Sequence, residues 1–297
     1  LVFPTALLGF TLNTFQTGQV SLERVEELLA RRPLISDPVE PEHLDLPVRG
    51  DLEARNLHIR YDGSDSDTLD GLNFRIASGE MVAVVGPVGC GKTTLARALG
   101  RMVEVPGGQL FLDGHDLTCL RLDDLREQIA LVPQEGYLFT SSLADNLRYG
   151  EPEAGLNRVE AAAQQARLLA DVRGFPDGMN TLVGERGITL SGGQRQRTAL
   201  GRALLLKAPV LVLDDALASV DNNTAAEILA SVRRQTQRTI VMISHQLSAA
   251  AACDRILVLD RGRLVQQGHH TDLIREQGLY RSLWEREQAA ERLESVA

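Results

Sequence analysis

MVAVVGPVGCGKT, residues 81–93, reads as a strand, a glycine-rich turn and the opening of a helix. The apolar run Met81 to Val85 is the strand. Gly86, Gly89 and Gly91 let the turn approach an anion without a Cβ clash. A turn of this kind points backbone N–H groups inward, and the following helix, Leu95 to Leu99, adds the positive end of its dipole. Lys92 can reach the β- and γ-phosphates of a nucleotide, and Thr93 can place its hydroxyl on Mg²⁺. Cys90 lies inside the loop and reads as a small filler rather than a catalytic thiol. Taken alone, the loop fits many nucleotide-binding proteins.

Working outward, segments 52–61 and 72–76 read as strands joined by the turn DGSDSD. A short strand at 109–112 and the segment LREQIALVP at 125–133 follow. A helix is expected over 157–172, and another runs from Ser191 to about Leu206. PVLVLDD, 209–215, is an apolar run ending in two carboxylates, the pattern of a buried strand of a parallel sheet. A helix at 222–235, strands at 239–244, 255–260 and 263–268, and a last helix near 278–294 complete the chain. Strands alternating with helices give an α/β architecture. Residues 141–205 carry no strong strand pattern and read as an inserted helical subdomain.

Several residues stand where chemistry would need them. Asp214 ends the apolar run and should hold Mg²⁺ at the mouth of the sheet, with helix capping as the alternative. Asp215 follows it, where a carboxylate can orient or deprotonate an attacking water. Aspartate is one methylene shorter than glutamate. A retreat of roughly 1 Å can cost about 100-fold in rate, about 2.7 kcal/mol, unless the backbone shifts to compensate. Ser191, Gly192, Gly193 and Gln194 open a helix and form a second anion site. One nucleotide does not need two such helix ends. The economical account is a two-fold dimer in which this segment covers a partner's γ-phosphate. Gln134 follows Val132-Pro133 near the sheet edge and could touch Mg²⁺ or water. His245 follows a strand and can hydrogen-bond a γ-phosphate. Tyr61 can stack on adenine or sit in the core. Asp221 either couples paired sites or caps helix 222–235.

The chain has 297 residues, 43% hydrophobic and 24% charged, with a net charge of -9. That composition suits a soluble globular domain and argues against a broad nucleic-acid surface. Cys90, Cys119 and Cys253 have no metal or redox spacing, which suits reducing surroundings. The first stretch, LVFPTALLGFTL, is apolar and uncharged, but twelve helical residues rise only about 18 Å, too short to span a bilayer. It is either a buried or disordered terminal segment or the cut end of a membrane helix. The gradient from apolar through polar to charged SLERVEELLARR favours the second. Ser21 is expected to cap a helix running to about Arg32, and the proline-rich stretch 33–50 to be a linker.

GPVGCGKT, Gln134, LSGGQRQR, LVLDD, ASVD and His245, in that order, resemble the nucleotide-binding domain of an ATP-binding cassette (ABC) transporter over residues 50–290. LSGGQ is highly specific to that family. The resemblance implies a P-loop NTPase fold of ABC ATPase type: a RecA-like mixed sheet core, an antiparallel β subdomain and an α-helical subdomain. It implies ATP and Mg²⁺ as ligands, with Thr94 joining the loop residues at the nucleotide. Tyr61, the segment Gly184-Glu185-Arg186-Gly187 and the apolar start are similar to the exporter branch. Residues 1–20 are then the end of a last transmembrane helix, 21–50 a connecting helix and linker, and 51–297 the nucleotide-binding domain. Asp215 departs from the family's glutamate. Heterodimeric exporters commonly contain one such half, whose intact signature serves the partner's competent site. The implied location is the cytoplasmic membrane, with this domain on the cytoplasmic side. The open rivals are a homodimer hydrolysing at both sites, a DNA-maintenance or ribosome-associated ATPase, and a stand-alone importer subunit.

Overall fold

The computed structural model describes residues 2–31, 33–184, 189–235 and 237–294. Contacts divide the chain into two units, 1–36 and 37–297.

The first unit is one helix, α1 (Val2–Ala30), unbroken through position 21. The expected cap at Ser21 is therefore not formed. Its hydroxyl donates to the Thr17 carbonyl at 2.8 Å, and Thr11, Thr14 and Thr17 bond back to carbonyls four residues earlier in the same way. A hydroxyl satisfied inside its own helix has no call to end one. Among the described residues, no helix is long and apolar enough to cross a membrane.

The second unit begins with β1 (Leu52–Ile59) and β2 (Leu69–Ile76), then β3 (Met81–Val85) leading into α2 (Lys92–Leu99). β4 (Leu110–Leu112) and the two-residue β5 (His115–Asp116) follow, then α3 (Leu122–Gln128) and β6 (Ile129–Val132). The segment LREQIALVP is thus split. Its first half ends a helix and only IALV is strand. Next come α4 (Leu143–Leu147), α5 (Leu156–Gln165), α6 (Leu169–Val172) and α7 (Gly192–Leu205). The single helix expected over 157–172 is broken at Arg167, which has φ 56. Arg167 N–H bonds the Gln164 carbonyl and Leu168 N–H the Ala163 carbonyl, a Schellman end made without glycine. The chain closes with β7 (Val210–Asp214), α8 (Asn222–Gln235), β8 (Thr239–Ile243), α9 (Leu247–Ala250), β9 (Arg255–Asp260), β10 (Arg263–Gly268), α10 (His270–Leu273) and α11 (Leu279–Glu294).

Two sheets result. One is antiparallel, in the order β2-β1-β4-β5; the other has the order β10-β9-β3-β8-β7-β6. In the larger sheet β9, β3, β8, β7 and β6 run parallel, and β10 pairs antiparallel to β9. β3, β7 and β8 are buried along their whole length, as their unbroken apolar runs require. Alternate residues serve different cores. Met81, Ala83 and Val85 join a cluster with α7, α8 and α11, while Val82 and Val84 join one shared with α2 and the antiparallel sheet. A third cluster, including Leu143, Leu147, Val159 and Leu205, is the core of the helical subdomain.

Candidate nucleotide site

The phosphate loop is shaped by contacts that exclude side chains. Gly86 has φ 151, and a Cβ there would lie 2.1 Å from the Leu259 carbonyl oxygen. At Gly91, φ 103, a Cβ would lie 2.6 Å from Leu69 Cδ2 and 2.8 Å from the Thr68 carbonyl. The loop's backbone turns because only glycine fits. Lys92 is buried, and its ammonium donates to the Gly86 and Pro87 carbonyls at 2.8 and 2.9 Å. Cys90 Sγ lies 3.8 Å from the same nitrogen. Burial pushes the Cys90 thiol up, which keeps it protonated and agrees with a filling role.

Thr93 Oγ1 donates to Asp214 Oδ1 at 3.1 Å, joining the start of α2 to the end of β7. Burial pushes the Asp214 carboxyl up and the charge of Asp215 adds to this, while the Thr93 bond and the charges of Arg97 and Lys92 oppose it. A hydroxyl and a carboxylate at this spacing are hard oxygen donors, and a cation beside them would relieve the cost of a buried negative charge. The pair fits Mg²⁺. Asp215 is buried and holds φ 51, with its N–H bonded to the Ile243 carbonyl at 2.9 Å. Tyr61, just past β1, is 39% exposed, so the core alternative does not hold. Its hydroxyl lies 3.3 Å from Thr94 Oγ1, which ties the ring to the first turn of α2.

Gln134 and His245 are exposed, immediately beyond β6 and β8. The phosphate loop, His245, Asp214 and Gln134 therefore leave the C-terminal ends of four neighbouring strands, β3, β8, β7 and β6. Gln134 lines a cavity of about 570 Å³ with Gly136, Gly192, Gln196 and Ser219.

Ser191 caps α7. Its Oγ accepts the Gln194 N–H at 3.2 Å, and Gln194 Oε1 accepts the Ser191 N–H at 2.9 Å, a reciprocal box. Gln194 also donates to Asp171 at 3.1 Å, so its amide is committed to holding the helix end. At Gly193 a Cβ would lie 2.9 Å from the Ser219 carbonyl, and Gln196 Oε1 accepts the Ser219 N–H at 2.8 Å. The helix end and the 217–221 loop are thus packed as one piece. Asp221 accepts the Thr224 N–H at 2.9 Å, so it does cap α8. Ser191, Gly192, Gly193 and Asp221 share a second cavity of about 410 Å³. Glu185, expected to contact coupling helices, lies outside the described residues.

Sequence reasoning missed the support behind Gln134. Asn146 is 1% exposed and makes four side-chain bonds: to the Phe139 N–H (2.8 Å), the Phe139 carbonyl (2.9 Å), the Ser142 carbonyl (3.0 Å) and Arg202 (3.1 Å). Arg202 also donates to the Tyr137 carbonyl at 3.0 Å and sits over the Phe139 and Tyr149 rings, which stack 4.4 Å apart. Its surroundings are dry enough that burial pulls its guanidinium down. Tyr137 and Tyr149 remain exposed, giving an aromatic patch at the end of the Gln134 loop. An asparagine and an arginine in helices carry no local signal for this.

A family model described as ABC transporter matches residues 69–218, from β2 through the loop after Asp214. The chain belongs to the ABC transporter family. Within it, the chain is similar to the nucleotide-binding domain of exporters. It is 35% identical to a probable multidrug resistance ABC transporter ATP-binding/permease protein, YheI, of Bacillus subtilis, over 97% of this chain and 49% of that one. It is 40% identical to an ATP-dependent lipid A-core flippase of Aromatoleum aromaticum, over 94% of this chain and 46% of that one. A solved structure of a bacterial Atm1-family ABC exporter with ATP bound matches with a TM-score of 0.88 and 37% identity, over 95% of this chain and 49% of that one. The chain spans about half the length of the curated relatives it matches.

Proposed function

We propose that this chain is one of two motor domains of a membrane exporter, and that ATP binding closes it against a second half-transporter. Lys92 holds the β- and γ-phosphates, Tyr61 stacks on adenine, and His245 meets the γ-phosphate. Thr93, Asp214 and Gln134 would hold Mg²⁺, which when bound offsets charge between the phosphates. Asp215 orients or accepts a proton from the attacking water. The Ser191–Gly193 helix end covers the γ-phosphate bound by the partner. The observation that carries this reading is a complete phosphate loop and a signature helix whose capping residue, Ser191, is exposed, in the same chain. Each is half of a site that a two-fold pairing would complete.

Closure passes to membrane helices through the Gln134 to Phe139 loop, its aromatic patch and Glu185. Hydrolysis reopens the pair. The short Asp215 carboxylate makes this chain's own site the slow one, while its signature supports fast hydrolysis at the partner's. Cargo leaves the cytoplasm. The names of the relatives, a multidrug transporter and a lipid flippase, support a drug-like or lipid-like substrate. The protein resides in the cytoplasmic membrane with this domain on the cytoplasmic side.

The test is ATP turnover of the full-length protein alone and with the half-transporter encoded beside it. Turnover is expected only with the partner, and to survive Asp215→Ala. Fast turnover alone that Asp215→Ala abolishes would establish a homodimer with two competent sites instead.

A further inference from the structure

α11 packs Leu279, Leu283 and Trp284 against the core, and Tyr280 is fully buried. Tyr280 donates its N–H to Gln266 Oε1 at 3.0 Å, and its hydroxyl lies 2.7 Å from His270 Nδ1. Positions 280, 283, 284 and 287 share one helix face. At 287, where the stripe would continue apolar, the chain has glutamate. Its carboxylate is turned onto backbone: Oε2 accepts the Leu247 N–H at 2.8 Å, and Oε1 accepts the Leu247 and Ser248 N–H groups at 3.0 and 3.3 Å. These are the first amides of α9, two and three residues past His245. On the other side of His245, the Ser244 N–H bonds the Val84 carbonyl at 3.3 Å and Ser244 Oγ accepts the Gln246 N–H at 2.9 Å. The exposed imidazole is thus carried on a short span with two anchors. One is β3, which leads into the phosphate loop; the other is Glu287.

We propose that Glu287 is a positioning residue for His245, through which α11 sets where the imidazole meets a terminal phosphate. This rests on the reading of His245 given above. The expected signature is selective: a displaced His245 weakens ATP, which has a γ-phosphate, and leaves ADP alone. A misplacement near 1 Å is enough to matter.

The experiment is calorimetric titration of ATP and ADP into the 297-residue chain. His245→Ala should weaken ATP and spare ADP. Glu287→Ala should weaken ATP by roughly 5- to 10-fold with ADP within about twofold. Glu287→Gln keeps an acceptor oxygen for both amides and should restore ATP binding to within about twofold of the native chain. The double variant His245→Ala/Glu287→Ala should bind no more weakly than His245→Ala alone, because both act through one contact. Should Glu287→Ala fail to fold, Glu287→Asp withdraws the carboxylate by one methylene and must show the same ATP-selective loss. Equal weakening of both nucleotides, no weakening, or full additivity with His245→Ala overturns the inference and leaves the role of His245 standing. If His245→Ala itself does not separate ATP from ADP, that role fails and the inference falls with it.

Discussion

Asn146→Ala removes four hydrogen bonds, but they are not equally missed. The Ser142 carbonyl keeps its helical bond from the Asn146 N–H at 3.0 Å, and Arg202 keeps the Asn146 and Tyr137 carbonyls at 2.9 and 3.0 Å. The Phe139 carbonyl keeps the Ser141 N–H at 2.8 Å, so the group left without its partner is the Phe139 N–H. A buried backbone group stripped of its bond costs about 1–3 kcal/mol, and Phe139 is only half-buried, so water relieves part of it. With the lost carboxamide packing, the sum is about 2 kcal/mol. In a domain of this size that lowers Tm by roughly 4 to 8 °C. Urea unfolding of the chain measures the first quantity, and hydrogen exchange at the Phe139 amide locates it. Asn146→Asp keeps the acceptor but turns an anion onto two carbonyls, and should also destabilise. A loss under about 1 kcal/mol with Phe139 protection unchanged would refute the idea that Asn146 holds the Gln134 loop.

Asp214 has a carboxyl raised by burial, so the folded chain binds more protons than the unfolded chain between the ordinary value of 3.8 and the raised one. Stability therefore falls as pH rises through that window, and Asp214→Asn should flatten this part of the pH profile in urea titrations while weakening Mg²⁺-dependent ATP binding. Tyr61→Ala should weaken ATP by roughly 5- to 30-fold and Tyr61→Trp should not, as read by calorimetry, because stacking a base contributes about 1–2 kcal/mol. Gly193→Ala puts a methyl 2.9 Å from the Ser219 carbonyl. It should separate the signature helix from the 217–221 loop, seen as faster exchange at the Ser219 amide and lost turnover in the assembled transporter.

The phosphate loop and the capped helix at Ser191 could be read from sequence because each is a local device. A few glycines, a lysine and a hydroxyl do their work within a dozen residues. The unbroken apolar strands β3, β7 and β8 were legible for the same reason: burial on both faces leaves no polar position. Ser21 misled because a serine before a charged run also fits mid-helix, where its hydroxyl bonds backward. The break at Arg167 was hidden because a left-handed residue that is not glycine leaves no mark. Arg202 and Glu287 act on backbone 65 and 40 residues away, at Tyr137 and Leu247, and Asn146 reaches back seven residues to Phe139 across an irregular loop; no spacing rule links such pairs.

β6 lies at the border of the large sheet, with β7 on one flank and, among the described residues, no strand on the other. The phosphate loop, His245 and Asp214 all emerge from strands clasped on both sides, so shifting any of them strains two ladders at once. Gln134 alone hangs from a strand that can slip or tilt by giving up a single row of bonds. Of the four, the segment that leads into the helical subdomain is thus the one tethered to the sheet by the fewest ladders.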